Sequence, residues 1–130
     1  MRIEQEKVEM FMVKQGLTVR EKPTLIPIEE ALARYQLMQE ELDEYKQAII
    51  DGDLVKIADG LADTLYTVLG TAVSHGIDAQ PVFDEVHRSN MTKQYPDPIT
   101  KIGGKGPDYQ PPRIADLLLI QATGLANAIE

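Results

Sequence analysis

Apolar residues recur at three- and four-residue steps along five stretches of this chain, and each stretch predicts a helix. From Ile3 to Gln15, the residues Val8, Phe11 and Met12 share a face, and Gly16 is a natural stop. Leu17 to Pro27 contains Pro23 and Pro27, has no helical period and predicts an ordered loop. A second helix opens at Pro27 or Ile28 and runs to Ile50. Its stripe is Ile28, Ala31, Leu32, Tyr35, Met38, Leu42, Tyr45 and Ile49. The tight turn Asp51-Gly52-Asp53 sends a third helix, Leu54 to Ser74, back antiparallel. There Leu54, Ile57, Ala58, Leu61, Leu65, Val68 and Ala72 form one stripe, and Val55, Ala62, Tyr66, Leu69 and Val73 widen it. A helix this apolar is expected to sit at the centre of a bundle.

Gly76 closes that helix, and Asp78 caps a fourth at about Ala79 to Met91. Residues from about 94 to 112 are rich in Pro and Gly and predict an extended loop. A last apolar helix covers about 113–128. The expected fold is all-α, a bundle of about four to five helices with an antiparallel central pair, in a single domain over 1–130.

The polar positions on the central pair carry the chemistry. At about 100° per residue, Glu41 lies beside the apolar stripe of its helix and Glu44 one turn on, while Glu40 points toward solvent. Alone, this triplet reads better as a solvated acidic face. Between Leu54 and Ser74 the only charged residues are Lys56, Asp59 and Asp63. Asp59 and Asp63 share a narrow strip with Thr67, Gly70 and Ser74, although two like charges one turn apart repel. That strip is either the solvent face, with Lys56 pairing Asp59, or half of a site. Glu44 precedes Asp51 by about seven residues and Asp59 follows it by about eight, so the two pairs meet at similar heights. Four facing carboxylates repel unless a divalent cation joins them. Oxygen ligands favour Mg²⁺, with Mn²⁺ a possible substitute, and metal-assisted phosphate chemistry is the natural use.

Charge and composition narrow the partners. With 21 acidic against 13 basic residues and a net charge of −8, the chain lacks the basic footprint of a nucleic-acid polymer binder. The absence of Cys excludes disulfides, thiolate metal sites and cysteine nucleophiles. The charged N-terminus does not read as a secretory signal, and no stretch approaches the roughly 20 apolar residues of a membrane span, so a soluble, cytoplasmic protein is expected. Asn90 and Lys93, at i and i+3 near the end of the fourth helix, share a face and either contact an anion or satisfy the helix dipole. Lys101 and Lys105 flank a Gly-rich loop that lacks the spacing of a phosphate-binding P-loop. Lys105 either reaches a phosphate or belongs to an ordinary surface loop.

Glu40-Glu41-Leu42-Asp43-Glu44 followed by Asp59-Gly60-Leu61-Ala62-Asp63-Thr64-Leu65-Tyr66 resembles the acidic signature of the MazG-like, all-α nucleoside triphosphate pyrophosphohydrolases. That superfamily includes phosphoribosyl-ATP pyrophosphohydrolases and all-α dUTPases. Glu85 to Lys93 resembles a motif of one subgroup, and Lys105 to Pro112 its tail, so the likeness covers roughly residues 5 to 115. It sets this chain nearer that subgroup than the phosphoribosyl-ATP branch.

The resemblance implies hydrolysis of an NTP or dNTP between the α- and β-phosphates, giving a monophosphate and pyrophosphate, in a nucleotide-pool house-cleaning role. It implies Mg²⁺ on the acidic residues. Glu41 and Glu44 match the ExxE half, Glu40 the additional Glu that binds metal or orients water, and Asp63 the closing Asp of ExxD. Gly60 stands where that second half has Glu, so Asp59 would serve instead. Asn90, Lys93 and Lys105 carry over as phosphate or ribose contacts, and a homodimer or homotetramer is implied. The loop from Thr18 to Ile26 is a reasonable place for the base. Two other classes compete: a non-catalytic helical module binding nucleotide or a partner, which the Gly60 departure favours, and a purely structural helical oligomer.

Overall fold

The computed structural model describes residues 1–100 and 103–124. Among them are five α-helices and one isolated antiparallel bridge, Gln94 to Gly104, so the all-α expectation holds. No helix among the described residues is long and apolar enough to cross a membrane. Contacts gather into two compact units, Met1–Ile77 and the residues from Asp78 onward.

The first unit holds α1 (Arg2–Lys14), α2 (Ile28–Asp51) and α3 (Leu54–His75). Gly52 ends α2 in the left-handed conformation that glycine tolerates best. One residue later the Asp53 carboxylate caps α3, accepting from the Lys56 N–H at 3.1 Å. This turn folds α3 back along α2, and α3 packs against both α2 and α1. Val8 and Met12 of α1 are buried, and Phe11 meets Tyr66 edge to face at 5.7 Å. The loop after α1 is strapped to the end of α3. The Arg20 and Thr24 N–H groups donate to the carbonyls of Val73 and His75, and the Arg20 guanidinium donates to both Glu30 carboxylate oxygens and to the Ser74 carbonyl.

The face that α3 turns toward α2 differs from the expectation. Only part of the expected stripes is turned inward: Leu69 and Val73 of α3 are buried and Ala31, Met38 and Tyr45 of α2 half-buried, but the long aliphatic residues are not on the seam between the two helices. Leu54, Leu61, Leu65 and Val68 are exposed, Leu61 at 54%, as are Leu32, Tyr35, Leu42 and Ile49 on α2. The inward residues of α3 are Gly60, Asp63, Thr67, Gly70 and Ser74; the last four belong to the strip that could have been a solvent face, while its Asp59 is exposed. They meet Ala31, Arg34, Met38, Glu41, Tyr45 and Ala48, a half-buried to buried row on α2. Each row alternates steps of three and four, the spacing of a two-helix seam. The physical reason is size. A Cβ on Gly60 would stand 3.2 Å from the Tyr45 Cα, so glycine sets how closely the backbones approach. The seam hydroxyls bond their own helix: Thr64 donates to the Gly60 carbonyl, Thr71 to Thr67 and Ser74 to Gly70. Of these, Thr71 also accepts from the Arg34 Nε of α2.

The second unit holds α4 (Ala79–Asn90) and α5 (Ile114–Thr123), which pack together. Asp78 caps α4 through the Gln80 N–H. The segment before α5 folds back onto α4. Ser89, fully buried, donates to the Gln110 carbonyl at 2.7 Å, Arg88 donates to Gln110 and Pro111, and the Arg113 N–H donates to Glu85. The Arg88 guanidinium on its carboxylate, with the Arg113 N–H, holds Glu85 down to about 2. Gly124 in the left-handed conformation stops α5 at Thr123; the remainder of the helix expected up to Ala128 lies outside the described residues, as does Lys101.

Candidate metal centre

Glu41, Glu44 and Asp63 converge on the small-residue seam one turn from the close approach at Gly60. One carboxylate oxygen from each lies within 4.8 Å of the other two. The helix positions explain this. Glu41 sits on the inner row of α2, Glu44 borders it one turn later, and Asp63 follows Gly60 by one turn on α3. The backbone approach that Gly60 permits brings the two helices' carboxylates into range.

The electrostatics are those of a site short of positive charge. Glu41 Oε2 is buried and has no hydrogen-bond partner among the described residues. Burial first, then the charges of Glu44 and Asp63 and more weakly Asp59, push the Glu41 carboxyl above its ordinary range. A buried, unpartnered acceptor is costly, and a cluster of three carboxylates sharing a few ångströms is costlier. A hard divalent cation takes oxygen ligands at about 2.0–2.6 Å and resolves both costs together. The donor set fits such an ion and carries no nitrogen or sulfur to favour a softer one.

Asp59 stands outside this trio. It lies one turn toward the α2–α3 turn and lines a cleft of about 320 Å³ with Glu44, Gln47, Ala48, Asp51, Lys56 and Gly60. The alternative pairing of Lys56 with Asp59 is not formed among the described residues. Lys56 lies in the first turn of α3, where the dipole disfavours a cation, and it faces this acidic cleft instead. Glu40 is exposed beside Glu41.

The other expected residues belong to the second unit. Asn90 is the last residue of α4 and is exposed. Lys93 lines a cavity of about 480 Å³ with Met91, Thr92, Gln94, Tyr95 and Gly106 to Asp108. Lys105 has its Nζ over the Tyr109 ring, 5.2 Å from the centroid, which gives the loop cation a resting place. Sequence reasoning missed Arg34. It lies on the inner row of α2 with its guanidinium against Gly70, and its seven-residue distance from Glu41 was the available signal.

A family model described as phosphoribosyl-ATP pyrophosphohydrolase matches residues 8–90. The matched span runs from α1 to the end of α4 and includes all five acidic residues singled out above. The match is to the phosphoribosyl-ATP branch, not to the subgroup that the His87 to Lys93 stretch resembles. No curated protein matches the chain.

Proposed function

The chain belongs to the phosphoribosyl-ATP pyrophosphohydrolase family, within the MazG-like all-α superfamily, and from that membership we propose that it hydrolyses a nucleoside triphosphate between the α- and β-phosphates. The family is one of hydrolases acting on acid anhydrides of nucleotides. The observation that carries the reading is the trio of Glu41, Glu44 and Asp63 around a buried, unpartnered carboxylate oxygen.

In this reading Glu41, Glu44 and Asp63 hold Mg²⁺, and Asp59, one turn along α3, completes the acidic set. The ion supplies charge neutralisation on the phosphate oxygens when bound. Glu40 and Glu41 orient a water and accept its proton. The water oxygen bonds to the α-phosphorus, the bond from that phosphorus to the bridging oxygen breaks, and pyrophosphate leaves. Asn90, Lys93 and Lys105 are proposed as phosphate or ribose contacts, on the strength of the resemblance. The Gly60 departure has a packing reason of its own, since a Cβ there would crowd the Tyr45 backbone, and Asp59 is the carboxylate proposed in place of the missing Glu.

A second copy of the chain is the proposed cover for the exposed row of Leu32, Tyr35, Leu42 and Ile49 with Leu61, Leu65 and Val68. A contiguous apolar face of this kind on two adjacent helices resembles half of an oligomer core. Pyrophosphate release from NTPs, dNTPs and phosphoribosyl-ATP, with Mg²⁺ and with chelator, tests the activity. Magnesium-dependent release on at least one substrate supports it, and no release on any, with Mn²⁺ included, overturns it.

A further inference from the structure

Arg34 is a half-buried cation of the first unit whose only hydrogen-bond partners among the described residues are neutral. Its Nε donates to the Thr71 hydroxyl oxygen at 3.3 Å and its Nη2 to the Thr67 carbonyl at 3.2 Å. No carboxylate comes within ion-pair distance, and Nη1 meets no acceptor among the described residues. Arg20, on the adjoining loop, shows the ordinary arrangement, a bidentate pair with Glu30 at 2.8–2.9 Å. Burial pulls the Arg34 guanidinium below its ordinary value, and the charge of Glu30 offsets this only in part. The guanidinium lies against Gly70, where an added Cβ would meet Nη2 and oblige the arginine to shift.

The position connects this arginine to the carboxylates. Arg34 precedes Glu41 by seven residues, about 10 Å along the axis and within about 20° of the same direction. Thr67 and Thr71 follow Asp63 by four and eight residues on the facing strip of α3. The arginine and the acidic trio therefore lie along one seam, two turns apart. With the reacting phosphates at the trio, a distance of about 10 Å reaches past the ribose to the far end of a nucleotide.

We infer that Arg34 is a substrate-binding residue that reads the end of the nucleotide opposite the triphosphate, donating its fork to a pair of acceptors there. The inference rests on the pyrophosphohydrolase reading above. Two groups share the required chemistry. One is a base edge with two acceptors, such as O6 and N7 of guanine. The other is a distal phosphate, as in phosphoribosyl-ATP.

Steady-state kinetics on GTP, dGTP, ATP, CTP, UTP and phosphoribosyl-ATP tests it, with wild type, Arg34→Gln, Arg34→Lys and Gly70→Ala, and a thermal melt of each. Arg34→Gln should raise KM about 10- to 100-fold on the substrate whose far end is read, with kcat changed little. Loss confined to guanine nucleotides identifies the base edge, and loss confined to phosphoribosyl-ATP identifies the phosphate. Arg34→Lys keeps charge and stem but loses the fork, so it should show the same selective loss even if Arg34→Gln fails to fold. Gly70→Ala, which displaces the guanidinium, should show a smaller loss in the same direction. A KM increase equal on every substrate, or a lowered melt with unchanged kinetics, overturns the inference and leaves the activity intact. A wild-type protein inert on the whole panel overturns the activity and this inference with it.

Discussion

The α2–α3 pair has two seams, one residue apart around each helix, and they are opposites. The inner seam is built of Gly60, Asp63, Thr67, Gly70 and Ser74 against Ala31, Arg34, Glu41, Tyr45 and Ala48. It is narrow, polar and closed within the chain. The outer seam is built of Leu61, Leu65 and Val68 beside Leu32, Tyr35, Leu42 and Ile49, and it is open. Hydrophobicity alone assigns the aliphatic seam to the interior. The backbone approach at Gly60 assigns the small residues there instead, because long side chains would hold the helices apart and the carboxylates out of reach of one another. The lesson is that this helix pair gathers carboxylates in its interior and leaves its strongest apolar surface exposed.

Breaking the inner seam at its charges should have the largest effect. Glu41→Gln or Asp63→Asn should lower turnover at saturating Mg²⁺ by about 10³-fold or more, as expected when a metal ligand is lost. The helical circular dichroism should persist. Because Glu41 is an unpartnered buried acceptor beside like charges, Glu41→Gln should also raise the melting temperature of the chelator-treated protein. A melting temperature that falls would mean the trio is a structural network rather than a site poised for an ion.

The outer seam yields to a different change. Leu61→Glu with Leu65→Glu places charges on the exposed aliphatic row. If a second copy covers it, sedimentation equilibrium should show association weakened by at least about 100-fold, with helicity retained. A wild-type protein that sediments as a monomer at micromolar concentration would remove the second copy from the account.

A smaller effect distinguishes the seams by stability. Gly60→Ala adds a Cβ 3.2 Å from the Tyr45 backbone. Overpacking costs about 1–3 kcal/mol, and the gain in helix propensity returns about 1 kcal/mol. A net loss of about 1 kcal/mol in urea unfolding is expected, accompanied by weaker metal binding. The same substitution would be stabilising if α2 and α3 were not in close backbone contact.

The smallest effect is in pH, and its sign differs between the two units. The Glu41 pKa is raised in the fold, so in metal-free protein its favourable contribution is complete below about 4.5 and is lost as pH rises through the raised value. The Glu85 pKa is lowered to about 2, so its contribution is complete above about 4.5 and is lost as pH falls toward 2. Melts between pH 2 and 8 in chelator should show both slopes. Glu41→Gln should remove the first and Glu85→Gln the second, and a shared slope would contradict the separate origins.

Much of this was readable in the sequence, and the remainder failed for a definite reason. Gly52, Asp53, Gly76 and Asp78 are local signals, and they placed the ends of α2, α3 and α4 to within a residue. Helix geometry across the turn pointed to Glu41, Glu44, Asp59 and Asp63, of which Glu41, Glu44 and Asp63 come together and Asp59 stands apart. Two things were not legible. Both seams carry the same alternation of three and four, so periodicity could not decide which faces inward. Gly60 was visible only as a departure from a family pattern, although in space it governs how near the helices come. Arg34 stayed hidden for a related reason, since its significance depends on what does not lie within its reach.

The turn at Gly52 and Asp53 has a consequence for how such a chain can change over generations. The left-handed glycine and the capping carboxylate, set side by side, lock the angular setting of α3 at its first residue. One residue inserted between the cap and Gly60 would rotate everything beyond it by about 100°. Leu61, Leu65 and Val68 would be displaced from their seam, and Asp63 would swing away from Glu41. Single-residue insertions and deletions in this stretch are therefore barred to drift, while substitutions at individual positions remain open. Variation in length is expected to accumulate in the loops outside α2 and α3, so that the spacing from Glu41 to Asp63 behaves as one inherited unit.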